Sequence, residues 1–232
     1  MKNFQDMTPE QRLDEIKARF YRDHVGPDGR EQLIMAGDSI PTPQTRAEPG
    51  EDDQPGIMML DGYAAVFDMD SQGLWFTERV APGAFKSSIL TDDVVALFNH
   101  DKNFVLGRTS SGTLELAEDP TGLKYEIKLP NTTAGRDVHE SVGRRDVNGS
   151  SFSFQTIKDQ WEYLDDGETV KRTLLEVKVF DVGPVTFPAY PSTSTHARSM
   201  DTFIKEVNEK RDGEKPWRVN IARRALDLAQ LT

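Results

Sequence analysis

Serine and histidine are the side chains in this sequence that could supply nucleophilic chemistry. The chain contains no cysteine, which excludes disulfides, thiolate metal sites and a cysteine nucleophile. Any nucleophile is then a serine, threonine, lysine or carboxylate, and histidine is the usual base that activates serine. The sequence has four histidines, at His24, His100, His139 and His196.

His100 is the histidine whose position best suits a general base. It follows the apolar run 94–98 and Asn99, where a predicted strand ends, and a side chain at the end of a strand is held rigidly. A structural or surface role is the alternative for a lone histidine. His24 and His196 lie in segments predicted to be solvated, and we expect His139 to lie on the surface of a short helix.

The segment 148–154 alternates serine with phenylalanine after Asn148 and Gly149. If Phe152 and Phe154 face the core, the alternation of a strand turns Ser151 and Ser153 toward a cleft or toward solvent. Gly149 permits close approach of a substrate or of another backbone. The segment is therefore a candidate nucleophile strand, although an ordinary amphipathic strand has the same pattern.

A third feature is an acid at the end of the apolar strand 175–182. Leu175, Val177, Val179 and Asp181 are predicted to share one face, and a carboxylate on a buried face needs a partner. A histidine that becomes cationic during catalysis would be such a partner. The alternative is that Asp181 only caps the turn that follows. Glu176 is expected on the other face with Lys178, in an ion pair.

The sequence predicts neither a cofactor nor a metal. It contains no Walker-type phosphate loop and no glycine fingerprint of a nicotinamide site. The spacing of Asp137, His139 and Glu140 does not match a metal site.

Hydropathy patterns predict a mainly β fold with peripheral helices, arranged as an antiparallel barrel or sandwich. Period-two alternation is clearest in 123–129, which pairs with 113–116 as a hairpin. Short helices are predicted after Pro82 and from Thr133 to Val142, and the chain begins with a capped helix. The predicted division is an N-terminal helix with a flexible acidic, proline-rich linker (1–56), a body (57–199) and a helical tail (200–232).

Charge and hydropathy disfavour two classes of partner, nucleic acids and membranes. The 232 residues contain 28 basic and 39 acidic side chains, a net charge of −11, which disfavours a general nucleic-acid binder. No apolar run approaches the roughly 20 residues that span a bilayer. The first residues also lack the apolar stretch of a signal peptide, so we expect a soluble intracellular protein without membrane or nucleic-acid partners.

Taken together, an ordered series of segments over about 58–200 resembles the prohead serine proteases of tailed phages, which mature the capsid. The series comprises Gly62–Phe67, Glu78–Phe85, Ala96–Asp101, Leu106–Thr109, Gly135–Asp137, Gly149–Phe154 and Asp181–Pro191. This family is similar in fold to the herpesvirus assemblins, so the resemblance implies a small antiparallel β-barrel of assemblin-like type surrounded by helices.

The resemblance also implies a catalytic set of Ser151, His100 and Asp181, with no cofactor. Ser151 is the third residue of the family's Gly-x-Ser-Phe block. Ser150 and Ser153 stand where many members have an apolar residue and a glycine, and Ser150 is an alternative to be tested. Glu176 is the alternative to Asp181. Backbone N–H groups around Arg144-Arg145 or Gly183-Pro184 are candidates for binding the oxyanion.

By the same resemblance, the substrates are expected to be the scaffold or delta segment of the major capsid protein and the protease itself, inside the prohead in the host cytoplasm. A homo-oligomer is left open. The rival hypothesis is a non-catalytic β-barrel that binds scaffold or capsid, which would place His100 far from Ser151. An esterase is disfavoured because Ser151 begins a strand and lacks the Gly-x-Ser-x-Gly elbow.

Overall fold

The computed structural model describes residues 7–25, 27–35, 41–49, 56–70, 76–164 and 170–186. Three helices and ten strands lie within these ranges, which confirms the predicted mainly β class with few helices. The predicted helical tail, residues 200–232, and His196 lie outside the described residues.

The elements follow in the order of the chain. The helices are α1 (Pro9–His24), α2 (Lys86–Thr91) and α3 (Thr133–Gly143). The strands are β1 (Glu31–Met35), β2 (Gln44–Glu48), β3 (Ile57–Val66), β4 (Thr77–Val80), β5 (Val95–Leu97), β6 (Val105–Arg108), β7 (Leu114–Glu118), β8 (Gly122–Lys128), β9 (Gly149–Tyr163) and β10 (Val170–Val185).

Helix α1 begins where the capping pattern predicts. The Thr8 hydroxyl accepts a hydrogen bond from the Gln11 amide, the Gln11 side chain accepts one from the Thr8 amide, and Pro9 opens the first turn. Its apolar face packs on the end of the β9–β10 pair. The resulting small second core contains Ile16, Phe20, Phe76, Trp161 and Val170.

The strands pair in two sheets. The larger sheet has the order β1-β9-β10-β5-β6, with β4 also paired to β10, and the smaller sheet has the order β2-β3-β8-β7. Most neighbours are antiparallel, as predicted, and β7 and β8 form the predicted hairpin. The described pairings thus give two sheets, and closure into one barrel is not confirmed.

Strands β4 and β5 depart from the antiparallel expectation because both run parallel to β10. β4 pairs with residues 171–174 and β5 pairs with Asp181 and Val182, so the two lie one after the other along the same edge of β10. Helix α2 connects β4 to β5 and lies outside the sheet. Because β5 returns to the edge of β10 in the same direction as β4, it pairs beside Asp181.

Two strands lie within the segment predicted to be a linker. Residues 31–35 form β1, paired with β9, and residues 44–48 form β2, paired with β3. The prediction of a flexible linker over 23–56 is therefore wrong for these residues. Each strand is only five residues long, and its pairing with a distant strand decides a conformation that local composition does not indicate.

Candidate active site

Ser151 lies on β9 on the face opposite the main core. Phe152 and Phe154 are buried in the core between the sheets, as the alternation predicts, and this turns Ser151 and Ser153 to the other side of the strand. Both serines are nevertheless buried: Ser151 is 0% exposed and Ser153 is 3% exposed.

Ser150 lies on the core side of the same strand. Its hydroxyl is 2.9 Å from the Tyr125 hydroxyl, and both groups are fully buried. Burial raises the pKa of the Tyr125 phenol, so Tyr125 stays protonated, and either hydroxyl can donate in this bond. Ser150 is therefore bonded within the core, on the side of β9 that faces away from His100.

His100 lies on a tight loop between β5 and β6. Asn99 and His100 both have left-handed backbone conformations, with φ of 53° and 57°, which costs non-glycine residues about 1–2 kcal/mol each. Asn99 anchors the loop to the end of β10: its N–H donates to the Pro184 carbonyl at 3.1 Å, and its side-chain oxygen accepts from the Thr186 N–H at 2.8 Å. These bonds fix the position from which the imidazole projects.

Asp181 lies on the serine side of the sheet because of a β-bulge. Val179 pairs with Phe154, whereas Asp181 pairs with Ser153, so Phe180 is an extra residue on β10. A bulge re-aims the residues that follow it. The predicted single face of Leu175, Val177, Val179 and Asp181 is thus wrong at Asp181, which leaves the core face and points toward His100. It is also wrong at Leu175, because Leu174 lies in the core in its place.

The three predicted residues meet in a continuous hydrogen-bonded line. His100 Nε2 is 2.6 Å from Ser151 Oγ, and His100 Nδ1 is 2.5 Å from Asp181 Oδ1. The side chains of His100 and Asp181 are only 13% and 8% exposed. This arrangement can deprotonate a serine hydroxyl and stabilise the resulting imidazolium.

Glu176 does not take the position of Asp181. Glu176 lies on β10 five residues before Asp181, roughly 16 Å away along an extended strand. Its neighbour in the sheet is Lys158 of β9. The carboxylate that contacts the His100 ring in the structure is that of Asp181.

Ser153 also contacts the site, through a hydrogen bond to Asp181 that the sequence did not predict. Its hydroxyl donates a hydrogen bond to Asp181 Oδ2, while Oδ1 of the same carboxylate contacts His100. Both carboxylate oxygens therefore have a partner, which fixes the plane of the carboxylate. The signal in the sequence was the alternation itself, since Ser153 is two residues from Ser151.

Strand β1 pairs with β9 along the edge away from β10. β1 runs antiparallel to β9, with Ile34 opposite Ser151, and Ser151 Oγ lies 3.0 Å from the Leu33 carbonyl oxygen. No pattern in the sequence indicates this contact, because the two residues are 118 positions apart. Ser151, predicted to face a cleft or solvent, is instead buried, and its hydroxyl donates to the Leu33 carbonyl of the same chain.

The two candidate oxyanion segments lie before the start of β9 and on the neighbouring strand β10. Arg144 and Arg145 follow α3 and lead into β9, and Arg145 has a left-handed φ of 67°. Gly183 lies opposite Ser151 in the β9–β10 ladder with a φ of 155°, and a Cβ atom there would be 2.0 Å from the Leu97 carbonyl oxygen. Only glycine fits at this position.

The other two histidines among the described residues lie on helices. His139, on α3, has Nε2 3.4 Å from the Arg46 carbonyl oxygen at the smaller sheet, and His24 is the last residue of α1. Within the described part of the chain, no group of three acidic, histidine or cysteine side chains is arranged to hold a metal ion. None of the helices described there is long and apolar enough to span a membrane.

Comparison with known proteins gives one family match. The model of a family described as caudovirus prohead serine protease matches residues 45–206, which is 162 of the 232 residues. One similar solved structure is the bacteriophage T4 capsid assembly protease, gp21, at 11% identity and a TM-score of 0.40, covering 68% of this chain and 99% of that one. No curated protein matches the sequence.

Proposed function

The chain belongs to the caudovirus prohead serine protease family, and we propose that Ser151, His100 and Asp181 carry out its peptide hydrolysis. The observation that supports this assignment is the pair of bonds from the His100 ring, 2.6 Å to Ser151 Oγ and 2.5 Å to Asp181 Oδ1. A large separation of His100 and Ser151 would have favoured the rival non-catalytic module, and the 2.6 Å distance supports the catalytic proposal instead.

The reaction starts from one tautomer of His100. With the proton on Nδ1 donated to Asp181, Nε2 accepts the hydroxyl proton of Ser151 as Oγ attacks the peptide carbonyl carbon. His100 then protonates the leaving amine as the C–N bond breaks, and an acyl-enzyme remains on Ser151. Water, deprotonated by His100, releases the product acid and restores the serine.

Asp181 and Ser153 have positioning roles in this mechanism. Asp181 holds the ring in the productive tautomer and stabilises the imidazolium, which forms where little solvent can do so. The Ser153 hydroxyl keeps the carboxylate in the plane of the ring. Backbone N–H groups around Arg144-Arg145 or at Gly183 bind the oxyanion, and each is worth about 3–4 kcal/mol by analogy with other serine proteases.

The substrates in this proposal are proteins of the capsid interior: the scaffold or delta segment of the major capsid protein, and the protease itself. The family description supports a role in capsid maturation in general. The enzyme acts inside the assembling prohead in the host cytoplasm, with residues 200–232 as a tether. The assemblin-like barrel is retained as the proposed relation between the two sheets.

The experiment for the substrate assignment is assembly of proheads by co-expression with the cognate major capsid protein. Proheads that carry the wild-type chain are expected to contain shortened capsid or scaffold protein, and proheads that carry Ser151→Ala are expected to contain both at full mass. Equal full-length masses in the two preparations would contradict the substrate assignment.

Self-processing is supported by the position of the N-terminal segment, since the Leu33 carbonyl already lies beside the Ser151 hydroxyl. The intact mass of the wild-type chain should fall during incubation under assembly conditions, whereas that of Ser151→Ala should not change. Identical masses after incubation would exclude self-processing under those conditions.

A further inference from the structure

The strand pairing along one edge of β10 is interrupted beside helix α2. Strand β4 pairs with β10 as far as Leu174, and the described pairing with β5 begins at Asp181. Val177 and Val179 lie between these points, and each is 1% exposed. Because a buried backbone N–H group needs an acceptor, something other than a strand has to serve this stretch of the edge.

The acceptors come from the segment that contains α2. The Val177 N–H donates to the Ala84 carbonyl at 3.1 Å, and the Val179 N–H donates to the Ser88 hydroxyl oxygen at 2.8 Å. The second bond joins a side chain of the helix to the backbone of the strand. A substitution of Ser88 can therefore remove it, whereas the bond to the Ala84 carbonyl does not depend on a side chain.

The Ser88 hydroxyl is held in one orientation. Ser88 is 2% exposed, and its Oγ donates to Asp92 Oδ2 at 2.7 Å. A serine hydroxyl has one proton and two lone pairs. Because a carboxylate takes the proton, the lone pairs remain to accept from the Val179 N–H. The Asp92 N–H in turn donates to the Ser88 carbonyl at 2.9 Å, where α2 ends.

Val179 is the residue that precedes the bulge in β10. A regular ladder after Val179 would place Asp181 opposite Phe152, on the core side of the sheet. In the structure Asp181 lies opposite Ser153, one position away, so its carboxylate is on the side of His100. The bond from Ser88 thus holds the strand immediately before the point where its two possible continuations diverge.

We propose that Ser88 is a positioning residue for the catalytic group. By holding the Val179 N–H, the Ser88 hydroxyl keeps the bulge at Phe180 and thereby keeps Asp181 against the His100 ring. Ser88 acts through β10, since its hydroxyl bonds to the strand backbone and to Asp92. The proposal rests on the proposed protease function, because it concerns the acid that orients the same histidine.

The nitrogen NMR shifts of the His100 ring test this role without a cleavage assay. They report how the neutral ring divides between the Nδ1–H and Nε2–H tautomers, and a carboxylate at Nδ1 favours the first. The full chain is measured with Ser151→Ala, which prevents processing, and His100→Gln identifies the signals. Ser88→Ala is expected to lower the ratio of Nδ1–H to Nε2–H about tenfold, as loss of one hydrogen bond implies.

Two other serines provide matched controls in the same background. Ser87→Ala changes an exposed serine of α2, and Ser150→Ala removes a buried serine hydroxyl from the core. Both variants should keep the parental tautomer ratio, although Ser150→Ala should lower stability. An equal fall of the ratio in Ser150→Ala and Ser88→Ala would overturn the proposal, because loss of any buried hydroxyl would then have the same effect.

Ser88→Thr and Asp92→Asn test the same bonds by smaller changes. Ser88→Thr retains a hydroxyl and should recover part of the parental ratio. Asp92→Asn leaves the hydroxyl in place but replaces the charged acceptor of its proton, so the ratio should fall by a smaller factor than in Ser88→Ala. A parental ratio in Ser88→Ala would overturn the proposal, and so would a parental ratio in Asp92→Asn if Ser88→Ala does not fold.

Cleavage of capsid protein separates the positioning role from the protease function. With Ser151 present, Ser88→Ala should cleave about tenfold more slowly than wild type. The acidic limb of its pH–rate profile should move to lower pH, because a weaker carboxylate contact stabilises the imidazolium less.

The two readouts together identify which claim fails. A lowered tautomer ratio in Ser88→Ala, without cleavage by any variant or by wild type, would support the positioning role and contradict the protease function. Cleavage by wild type together with a parental tautomer ratio in Ser88→Ala would contradict the positioning role and leave the protease function intact.

Discussion

Ser150 and Ser151 are adjacent in sequence but lie on opposite faces of β9. Ser150 is bonded to the Tyr125 hydroxyl in the core, whereas Ser151 contacts His100. A shift of the β9 register by one residue would turn Ser150 to the side of His100 and Ser151 to the core side. The pairing of β9 with both β1 and β10 therefore determines which serine can act as nucleophile.

Ser150→Ala should lower stability and leave catalysis intact. The change removes the 2.9 Å bond to Tyr125 and leaves a buried phenol without that partner, which should cost about 1–3 kcal/mol in the free energy of unfolding. Urea unfolding measures the loss. Cleavage of capsid protein below the unfolding transition should proceed at the wild-type rate, and an unchanged unfolding midpoint would contradict the role given to Ser150.

Asp181→Asn should reduce the cleavage rate about 10³–10⁴-fold with little change in fold, by analogy with the orienting acid of other triads. The Asn amide can donate to Nδ1, which favours the His100 tautomer whose Nε2 cannot accept the serine proton. Single-turnover cleavage measures the effect. Glu176→Gln is the matched control and should stay within about twofold of wild type, since Glu176 lies on β10 opposite Lys158 of β9, five residues from Asp181. The reverse ranking would make Glu176 the third catalytic residue.

Ser153→Ala should lower the cleavage rate about tenfold, because Asp181 loses the bond to Oδ2 that fixes its orientation. Ser153→Thr, which retains a hydroxyl, should recover part of the rate. The pH–rate profile distinguishes positioning from packing, since the acidic limb should move only when the Asp181–His100 contact changes. An unchanged profile with a lowered unfolding midpoint would indicate a packing role alone.

Glu78 should give the free energy of unfolding a dependence on pH. Its folded-state pKa is raised by burial, so the folded chain holds this proton more strongly than the unfolded chain does. The stability that this proton contributes is complete below the usual carboxyl pKa and is lost as pH rises through the raised value. Urea titrations at a series of pH values upward from the ordinary carboxyl pKa should show this decline. Glu78→Gln should flatten it, and a slope equal to that of wild type would contradict the assignment.

The sequence identified the residues of the site better than it identified the path of the chain around them. Alternation placed Phe152 and Phe154 in the core and Ser151 on the other face, and resemblance connected Ser151 with His100 and Asp181. The bulge at Phe180 could not be predicted, because an extra residue in a strand shows only when the partner register is known. Asp181 was therefore assigned to the wrong face although its partner was anticipated.

The linker prediction for residues 23–56 is wrong at β1 and β2 for a related reason. The segments 31–35 and 44–48 lie among glycines and prolines, and their strands exist only through pairing with β9 and β3. Arg172 did leave a signal, since a cation stands between Val170 and Leu174 on the buried alternation of β10. The side chains that bond to the Arg172 guanidinium come from α1, β1, β4 and β9, and no spacing in the sequence connects them. They are Tyr21, Glu31, Glu78, Thr156 and Asp159.

The central claim is that Ser151 is the nucleophile, and the most direct measurement compares Ser151→Ala with Ser150→Ala. Each variant is co-expressed with the cognate major capsid protein, and intact mass reports the fraction cleaved. We expect full-length capsid protein with Ser151→Ala, which should remain folded, and wild-type cleavage with Ser150→Ala. Full cleavage by Ser151→Ala together with loss of cleavage in folded Ser150→Ala would contradict the account.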